Sequence, residues 1–245
     1  MRWKVLWAGL LGVGLMAPAV AEPLVREARG VVQPSAEAVI ASEIAGRIVA
    51  MQFRPGERFD VGDVLVQLDC ALYAARVAIS SAVHDAAALR VESKQQLAAL
   101  ASIGVLEVRL AEAQLAEATA ALQLDQLWAE RCTIRAPFAG LVVEQMARPA
   151  ESVLANDPLL AILSVERPEL RLVVPSHWLS RLVPGTPFRF AIDETGEVID
   201  AVLTRIGPRI DPVSQTLPVF AELIDPVEDI VAGMSGTARF VHGLR

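Results

Sequence analysis

The residue types that could do chemistry are few in this sequence, and they lie far apart. The three histidines, His84, His177 and His242, have no serine or cysteine arranged around them, and no two have metal-ligand spacing. We interpret them as ordinary surface residues and expect no catalytic residue and no metal site. The two cysteines, Cys70 and Cys132, could form a disulfide or remain as two buried free thiols.

The first 21 residues have the pattern of a cleavable signal peptide. Arg2 and Lys4 give a positive start, residues 5–16 are apolar, and Ala19-Val20-Ala21 is a small-x-small cleavage site before Glu22. The pattern predicts an exported chain that begins at Glu22 and resides in the periplasm. An uncleaved membrane anchor is the alternative, but the apolar run is short for a bilayer span.

The charge of the chain argues against a nucleic-acid partner. Without Arg2 and Lys4, 20 of the 22 basic residues remain against 29 acidic ones, a formal charge of −9. The basic residues are dispersed and almost all are arginine, so no basic patch is indicated. Lys94 is the one lysine after the predicted signal peptide.

Residues 45–68 and 139–162 are two copies of one pattern, 94 positions apart. Eight of the 24 ungapped positions are identical: Ala45/Ala139, Gly46/Gly140, Val49/Val143, Arg54/Arg148, Pro55/Pro149, Glu57/Glu151, Asp63/Asp157 and Leu65/Leu159. Each copy has short apolar runs separated by Arg-Pro-x-Glu, which is typical of short strands joined by tight turns. We predict a β-sandwich with approximate twofold symmetry, in which Asp63 and Asp157 form turn hydrogen bonds.

Between the copies, residues 71–130 have the alanine-rich and leucine-rich composition of long helices. The first half carries an apolar stripe through Leu72, Ala75, Ile79, Ala82, Ala86 and Leu89. The second half has two competing stripes, one through Leu106, Leu110, Ala113, Ala120, Leu124 and Leu127, the other through Val108, Ala111, Leu115, Ala118 and Leu122. This spacing predicts an antiparallel coiled-coil hairpin with arms roughly 40 Å long.

The turn of this hairpin is expected within residues 100–107. Gly104 can take a positive φ there, and Ser102 can cap the returning helix. Ile103, Val105 and Leu106 then lie at or beside the tip, where they either close the hairpin on itself or dock on a partner.

The segments GRIVAMQFRPGERFDVGDVLVQLDCALY and CTIRAPFAGLV, which flank the predicted helices, resemble a lipoyl or biotinyl carrier fold interrupted by a coiled coil. This arrangement is found in the periplasmic adaptors, or membrane fusion proteins, of bacterial efflux systems. The resemblance covers nearly the whole chain after residue 21. It implies a modular, mixed α+β fold in which a split lipoyl-like β-sandwich, interrupted by an antiparallel α-helical coiled-coil hairpin, is followed by a β-barrel domain.

The expected domains follow from this resemblance. They are the signal peptide (1–21), an N-terminal strand that joins the barrel (22–36), the first lipoyl-like half (37–69), the helical hairpin (70–131), the second lipoyl-like half (132–165) and the barrel (166–245). The barrel segment contains several short strands and one short helix, which starts at Ser176 with serine in the capping position. No further membrane-proximal domain is expected after the barrel.

The resemblance implies an adaptor that links an inner-membrane transporter to an outer-membrane channel, with copies assembled as a trimer or hexamer ring. An RND-type transporter is preferred; an ABC-type exporter and a stand-alone periplasmic scaffold or binding protein are the alternatives. A working carrier domain would need a lysine at the hairpin that the helices replace, and Lys94 lies near their far end. We therefore expect no enzymatic activity, no cofactor and no nucleic-acid partner.

The resemblance also indicates which residues matter. Channel docking is expected at the hairpin tip, at Leu97, Leu100, Ser102, Ile103, Gly104, Val105 and Leu106. Channel-binding adaptors share an Arg, Leu and Ser set. If Leu97 fills the Leu position, Ser93 and Gly104 replace the other two, so this sequence departs from the set. A disulfide between Cys70 and Cys132 is expected, because the carrier fold makes their strands antiparallel neighbours at the foot of the hairpin. An overlay on a two-residue carrier hairpin places the cysteines diagonally, where the Cα separation can exceed the roughly 7 Å limit, but the helical insertion can relax that register.

Overall fold

The computed structural model describes residues 26–224 and 230–240, so the predicted signal peptide lies outside the described residues. In chain order the elements are β1 (Arg26–Gln33), β2 (Glu37–Ala41), β3 (Gly46–Met51), β4 (Arg58–Phe59), β5 (Val64–Leu68), α1 (Ala71–Ala99), α2 (Val105–Glu130), β6 (Thr133–Arg135), β7 (Gly140–Gln145), β8 (Ser152–Val153), β9 (Pro158–Leu163), β10 (Glu169–Pro175), β11 (Pro187–Ile192), β12 (Val198–Ile206), β13 (Thr216–Leu223) and β14 (Ser235–Phe240). They form a β-sandwich, a pair of helices and a closed β-barrel. The predicted barrel, helices and sheets are confirmed.

The barrel consists of six antiparallel strands in the order β1, β10, β13, β12, β11, β14. Side chains alternate between its inside and its outside, because successive residues of a strand point to opposite faces. In β11, Phe188, Phe190 and Ile192 are buried in the barrel core, whereas Arg189 is exposed. Strand β1 precedes the sandwich in sequence, yet it lies between β10 and β14 and closes the barrel.

The connection between β10 and β11 is less helical than its sequence predicts. The short helix expected from Ser176 is only a 3-10 turn, Ser176–Trp178, and it has no side-chain cap hydrogen bond. Trp178 is buried at the end of the barrel core, and its ring contacts the edge of Phe240 with centroids 5.9 Å apart. Burial of this large ring outweighs the local helix preference, because an aromatic side chain contributes far more buried area than its neighbours.

The sandwich repeats its strands with the spacing of the sequence repeat. Strand β3 begins at Gly46 and β7 at Gly140, while β5 begins at Val64 and β9 at Pro158. The two sheets have the orders β2-β9-β7-β4 and β6-β5-β3-β8, so each sheet contains strands from both copies. Both sheets bury their apolar residues in one shared core. The two copies are therefore interleaved, and neither copy forms a complete sheet alone.

Matching turns explain why the two copies share charged residues. The Glu57 carboxylate accepts a hydrogen bond from the Arg54 backbone N–H at 2.8 Å, and Glu151 accepts one from Arg148 at 2.9 Å. In the following turn, Asp63 accepts from the backbone N–H three residues earlier at 2.8 Å, and its counterpart Asp157 does so at 2.7 Å. The predicted turn role of the two aspartates is confirmed, and the conserved pattern between the copies reflects turn geometry.

The helices α1 and α2 lie side by side and run in opposite directions. Lys94 Nζ lies 2.9 Å from Glu107 Oε2, and farther from the connection Arg90 Nη1 donates to Gln114 Oε1 at 3.3 Å. The residues buried along the two helices are mostly small: Ser80, Ala87 and Val91 in α1, and Ala111 and Ala118 in α2. Small side chains at the contact let the two backbones approach closely.

The stripe predicted as the contact face of α1 is wrong. Leu72, Ile79 and Leu89 are 67 to 68% exposed, so they do not form the buried contact between the helices. Of the two stripes predicted for α2, the one that contains Ala111 and Ala118 is the buried one. The other faces solvent, with exposed leucines at Leu106, Leu110, Leu124 and Leu127. The larger aliphatic residues would hold the helices apart, so they lie on the outer faces of the pair.

The barrel is expected to lose stability in acid. Arg29 Nη2 donates to Asp193 at 2.6 Å and lowers the pKa of that carboxyl, and the Ser235 backbone N–H at 2.9 Å lowers the pKa of Glu194. A carboxyl with a lowered folded-state pKa stabilises the fold above its unfolded pKa of about 4, and the contribution is lost as pH falls through the folded pKa. Urea unfolding should therefore show a lower midpoint at pH 3 than at pH 7. Asp193→Asn with Glu194→Gln should reduce this difference; an unchanged difference would contradict the assignment.

Candidate functional site

The tip of the helical pair is a tight connection, residues 100–104. The Ala101 backbone N–H donates to the Ala98 carbonyl, and the Ser102 N–H donates to the Leu97 carbonyl, both at 2.9 Å. Ala101 has a φ of 53°. These two hydrogen bonds around a left-handed residue form a Schellman motif, which satisfies the last carbonyls of α1.

This motif overturns two predictions about the tip. Gly104 was expected to have a positive φ, but its φ is −80° and its ψ is 158°. Ser102 was expected to cap α2, but its hydroxyl lies 3.4 Å from the Leu100 carbonyl, and α2 has no side-chain cap hydrogen bond. The left-handed position falls on Ala101 because it directly follows the cap residue of α1, so Gly104 is left in an extended conformation.

The tip presents aliphatic side chains to solvent. Leu100, Val105 and Leu106 are 68 to 78% exposed, Leu97 is 39% exposed, and Ile103 is partly buried. Ile103 therefore helps to close the connection, whereas the other four face outward. An exposed aliphatic cluster at the end of a long helical pair can bind an apolar surface, but it offers no group for bond chemistry.

The foot of the helical pair is cross-linked. Cys70 directly precedes α1, Cys132 directly precedes β6, and their sulfurs form a disulfide with the Cα atoms 5.7 Å apart. The Leu68 backbone N–H donates to the Cys132 carbonyl at 2.8 Å, which makes Cys70 diagonal to Cys132 across the strands. The chain turns into α1 at Asp69, and this brings the diagonal positions within bridging range.

Further contacts hold the same foot on the sandwich. Arg131 Nε lies 3.2 Å from Glu43 Oε2, and its guanidinium lies over the Trp128 ring at 4.6 Å from the centroid. The Tyr73 hydroxyl donates to the Ala45 carbonyl at 3.2 Å. Sequence reasoning missed these residues, because single arginines and aromatics at helix ends carry no distinctive spacing.

A shallow apolar groove runs along one side of the helical pair. Its floor and walls include Ile79, Ala82, Val83 and Ala86 of α1 and Ala118 and Ala121 of α2. Arg90 and Glu117 also line the groove and give it one charge of each sign. This side has the shape and the aliphatic character of a face that packs against another helix.

The histidines do not form a site. His84 Nδ1 lies 3.1 Å from its neighbour Asp85 on α1, and the His177 ring meets the edge of Trp178 with centroids 6.4 Å apart. His242 lies outside the described residues. Within ranges 26–224 and 230–240 no three His, Cys, Asp or Glu residues are grouped as a metal site would need. Neither helix of these ranges is long and apolar enough to cross a membrane.

No protein-family model matches the sequence, and no curated protein sequence matches it. Several solved structures are similar to the chain. A MacA–MexA chimeric protein that contains the Pseudomonas aeruginosa MexA α-hairpin domain aligns with a TM-score of 0.78 and 15% identity, over 90% of this chain and 83% of that one. The membrane fusion protein Spr0693 from Streptococcus pneumoniae R6 aligns with a TM-score of 0.73 and 18% identity, over 87% and 97% of the two chains.

The periplasmic adaptor protein EmrA is also similar, with a TM-score of 0.52 and 12% identity, over 88% of this chain and 98% of that one. Identities this low establish likeness of fold alone. The predicted resemblance is confirmed at that level: the chain has the fold of the membrane fusion proteins, or periplasmic adaptors.

Proposed function

We propose that this protein is a periplasmic adaptor that links an inner-membrane efflux transporter to an outer-membrane channel. The observation that carries the proposal is the exposed aliphatic tip of a long helical pair on a chain with the adaptor fold. Leu100 and Leu106 are 74 and 78% exposed there, and apolar side chains concentrated at a protrusion favour docking on another protein.

Each module has a mechanical role in this proposal. The tip contacts the channel, the helices and the sandwich pack against neighbouring copies in a trimer or hexamer ring, and the barrel rests on the transporter. The outer stripes of the helices support self-association, because Ile79, Leu89 and Leu124 remain 55 to 67% exposed in the single chain. The disulfide between Cys70 and Cys132 fixes the foot of the helical pair, through which motion of the transporter would pass to the channel.

An RND-type transporter is the preferred partner, and an ABC-type exporter is the alternative. A stand-alone periplasmic scaffold is the competing function from a different class. Affinity capture of the chain from its native membrane distinguishes the three, since co-purification of an RND or ABC transporter selects one of the first two. Capture without any transporter would favour the scaffold.

We infer no bond chemistry for the chain and no cofactor. Biotin or lipoate attachment needs a lysine presented on a tight turn between strands. Lys94 instead lies on helix α1 near the tip, where its ammonium pairs with Glu107 at 2.9 Å. This pair links the two helices, and exposed pairs of this kind contribute little stability.

The double replacement Ile103→Asp with Gly104→Asp is expected to abolish efflux while folding and transporter binding persist. Two carboxylates would place charge in the apolar contact. A Cβ on Gly104 meets no atom within 4 Å, so this position accepts a side chain. Ile103 is partly buried and closes only the connection between the helices, so its loss should be confined to the tip. Export-dependent resistance of cells is the measurement. Ile103→Ala with Gly104→Ala, which makes both changes without adding charge, is the matched control and should keep resistance. Unchanged resistance in the double variant would move the channel contact elsewhere.

A further inference from the structure

The end of the barrel that faces away from the sandwich carries an unusual surface. We call it the distal rim; it consists of Arg26 at the start of β1, the connection 175–186 and the connection 207–215. The Ser176 backbone N–H donates to the Gln215 carbonyl at 2.8 Å, and the Arg26 guanidinium lies 5.7 Å from the Trp178 ring centroid. These contacts join the three segments. The sandwich attaches at the opposite end, through the residues that follow β1 and precede β10.

The distal rim exposes aliphatic side chains on both connections. Leu179 and Val183 are 44 and 55% exposed on the first, and Ile210 and Val213 are 43 and 92% exposed on the second. Val213 is the most exposed of the large apolar residues that the structure describes. Such exposure costs solubility, so a cluster of this kind at one end of a domain indicates contact with an apolar phase or partner.

Val213 is held outward by an ordered turn. The Asp211 carboxylate accepts hydrogen bonds from the backbone N–H groups of Val213 and Ser214, both at 2.9 Å. Asp211 also donates its own N–H to the Thr216 carbonyl at 2.8 Å. Because the turn is already ordered, placing Val213 in an apolar environment requires little loss of conformational entropy.

The charge of the distal rim is opposite to that of the protein. The chain has a formal charge of −7, but the two connections contain Arg181 and Arg209 and a single acidic residue, Asp211. In the part of the chain that the structure describes, no carboxylate lies within 4.0 Å of either arginine. Asp211 directs its carboxylate to its own turn. Among the described residues these two arginines therefore have no acidic partner, and each lies in a connection that carries two of the exposed aliphatic residues.

We propose that the distal rim docks on an anionic phospholipid surface. Val213 and its aliphatic neighbours enter the boundary between headgroups and acyl chains, and Arg181 and Arg209 lie at the phosphates. Aliphatic residues flanked by arginines match a bilayer surface, because both apolar burial and attraction to anionic lipid contribute to interfacial binding. The proposal does not depend on the adaptor function, since it requires neither a transporter nor a channel.

Co-sedimentation with lipid vesicles tests the proposal. The chain from Glu22 onward is used, because it keeps every described residue and lacks the apolar N-terminal segment, which would itself bind lipid. It should bind vesicles of phosphatidylglycerol and phosphatidylcholine more tightly than vesicles of phosphatidylcholine alone, and added salt should weaken the binding. Val213→Asp should reduce the affinity on the order of ten-fold. Arg181→Ala and Arg209→Ala should each reduce it about five-fold.

Two matched variants serve as controls. Val198→Asp changes a valine that is 54% exposed at the sandwich side of the barrel, and Arg148→Ala changes an arginine of the sandwich. Both should bind vesicles as the unaltered chain does. Equal binding to the two kinds of vesicle, or equal losses in rim and control variants, would overturn the proposal. Normal vesicle binding by rim variants that lose capture of an inner-membrane protein would also overturn it, and would make the rim a protein-docking surface.

Discussion

Replacing Gly140 by alanine is expected to destabilise the protein severely. A Cβ at this position would lie 2.0 Å from the Leu163 carbonyl oxygen and 2.9 Å from its carbonyl carbon. Both are backbone atoms of β9, the strand that pairs with β7 on the β2 side of the sheet. No side chain can therefore move aside to relieve the clash. The sheet itself must shift, and we expect a loss of about 3 kcal/mol in the free energy of unfolding, or failure to fold. Urea unfolding of the purified variant measures it.

The repeat supplies the control for this prediction. Gly46 is the counterpart of Gly140 in the first copy, but a Cβ there would be 3.6 Å from its nearest neighbour, the Leu68 Cβ. This is ordinary van der Waals contact, so Gly46→Ala should change the unfolding free energy by less than about 1 kcal/mol. If both variants lost the same stability, the loss would come from replacing glycine itself and not from the close approach of β9 to Gly140.

Removing the disulfide is expected to have an effect at least as large. Cys70 and Cys132 are 62 positions apart, and closing a loop of this length stabilises a protein by about 4 kcal/mol in the chain-entropy model. Reduction of the unaltered protein, or Cys70→Ala with Cys132→Ala, should lower the urea midpoint accordingly. Cys132 is buried, so the double variant also loses packing, and reduction isolates the contribution of the cross-link.

The double variant also serves as the control, because a reductant should not change its unfolding midpoint. Thiol titration of the unreduced, denatured protein gives an independent result. No reactive thiol per chain is expected, and two reactive thiols would contradict the bridge. Because α1 and β6 begin beside the bridged residues, loss of the cross-link should also loosen the foot of the helical pair.

Much of the architecture could be predicted because the sequence repeats itself. The turn residues Glu57 and Glu151 are identical in both copies because each must accept the same backbone hydrogen bond. Strands β2 and β6 are also counterparts, but their sequences share only an isoleucine, Ile40 and Ile134. An edge strand has only one neighbouring strand, so fewer contacts restrict its side chains. The two copies are therefore less similar in sequence at β2 and β6.

The helical pair was harder to predict than the sandwich. Hydrophobic periodicity weighted the larger residues Leu72, Ile79 and Leu89, whereas close helix packing uses Ala87 and Val91. Periodicity indicates which faces are apolar but does not decide which apolar face meets its own partner. At the tip, Ala101 takes a conformation usual for glycine, and an alanine gives no sequence signal for it.

The interleaving of the two copies has a consequence for the order in which the chain folds. Strands β3 and β5 share their sheet with β6 and β8, which arrive only after the whole helical segment. Local helices form much faster than sheets that pair distant strands. Once the helices have paired, their two ends lie close together, and Cα atoms 62 positions apart in sequence are separated by only 5.7 Å. The helical pair thus shortens the loop that the sandwich must close and lowers its entropic cost. The helical pair thus also serves as a template on which the two halves of the sandwich assemble.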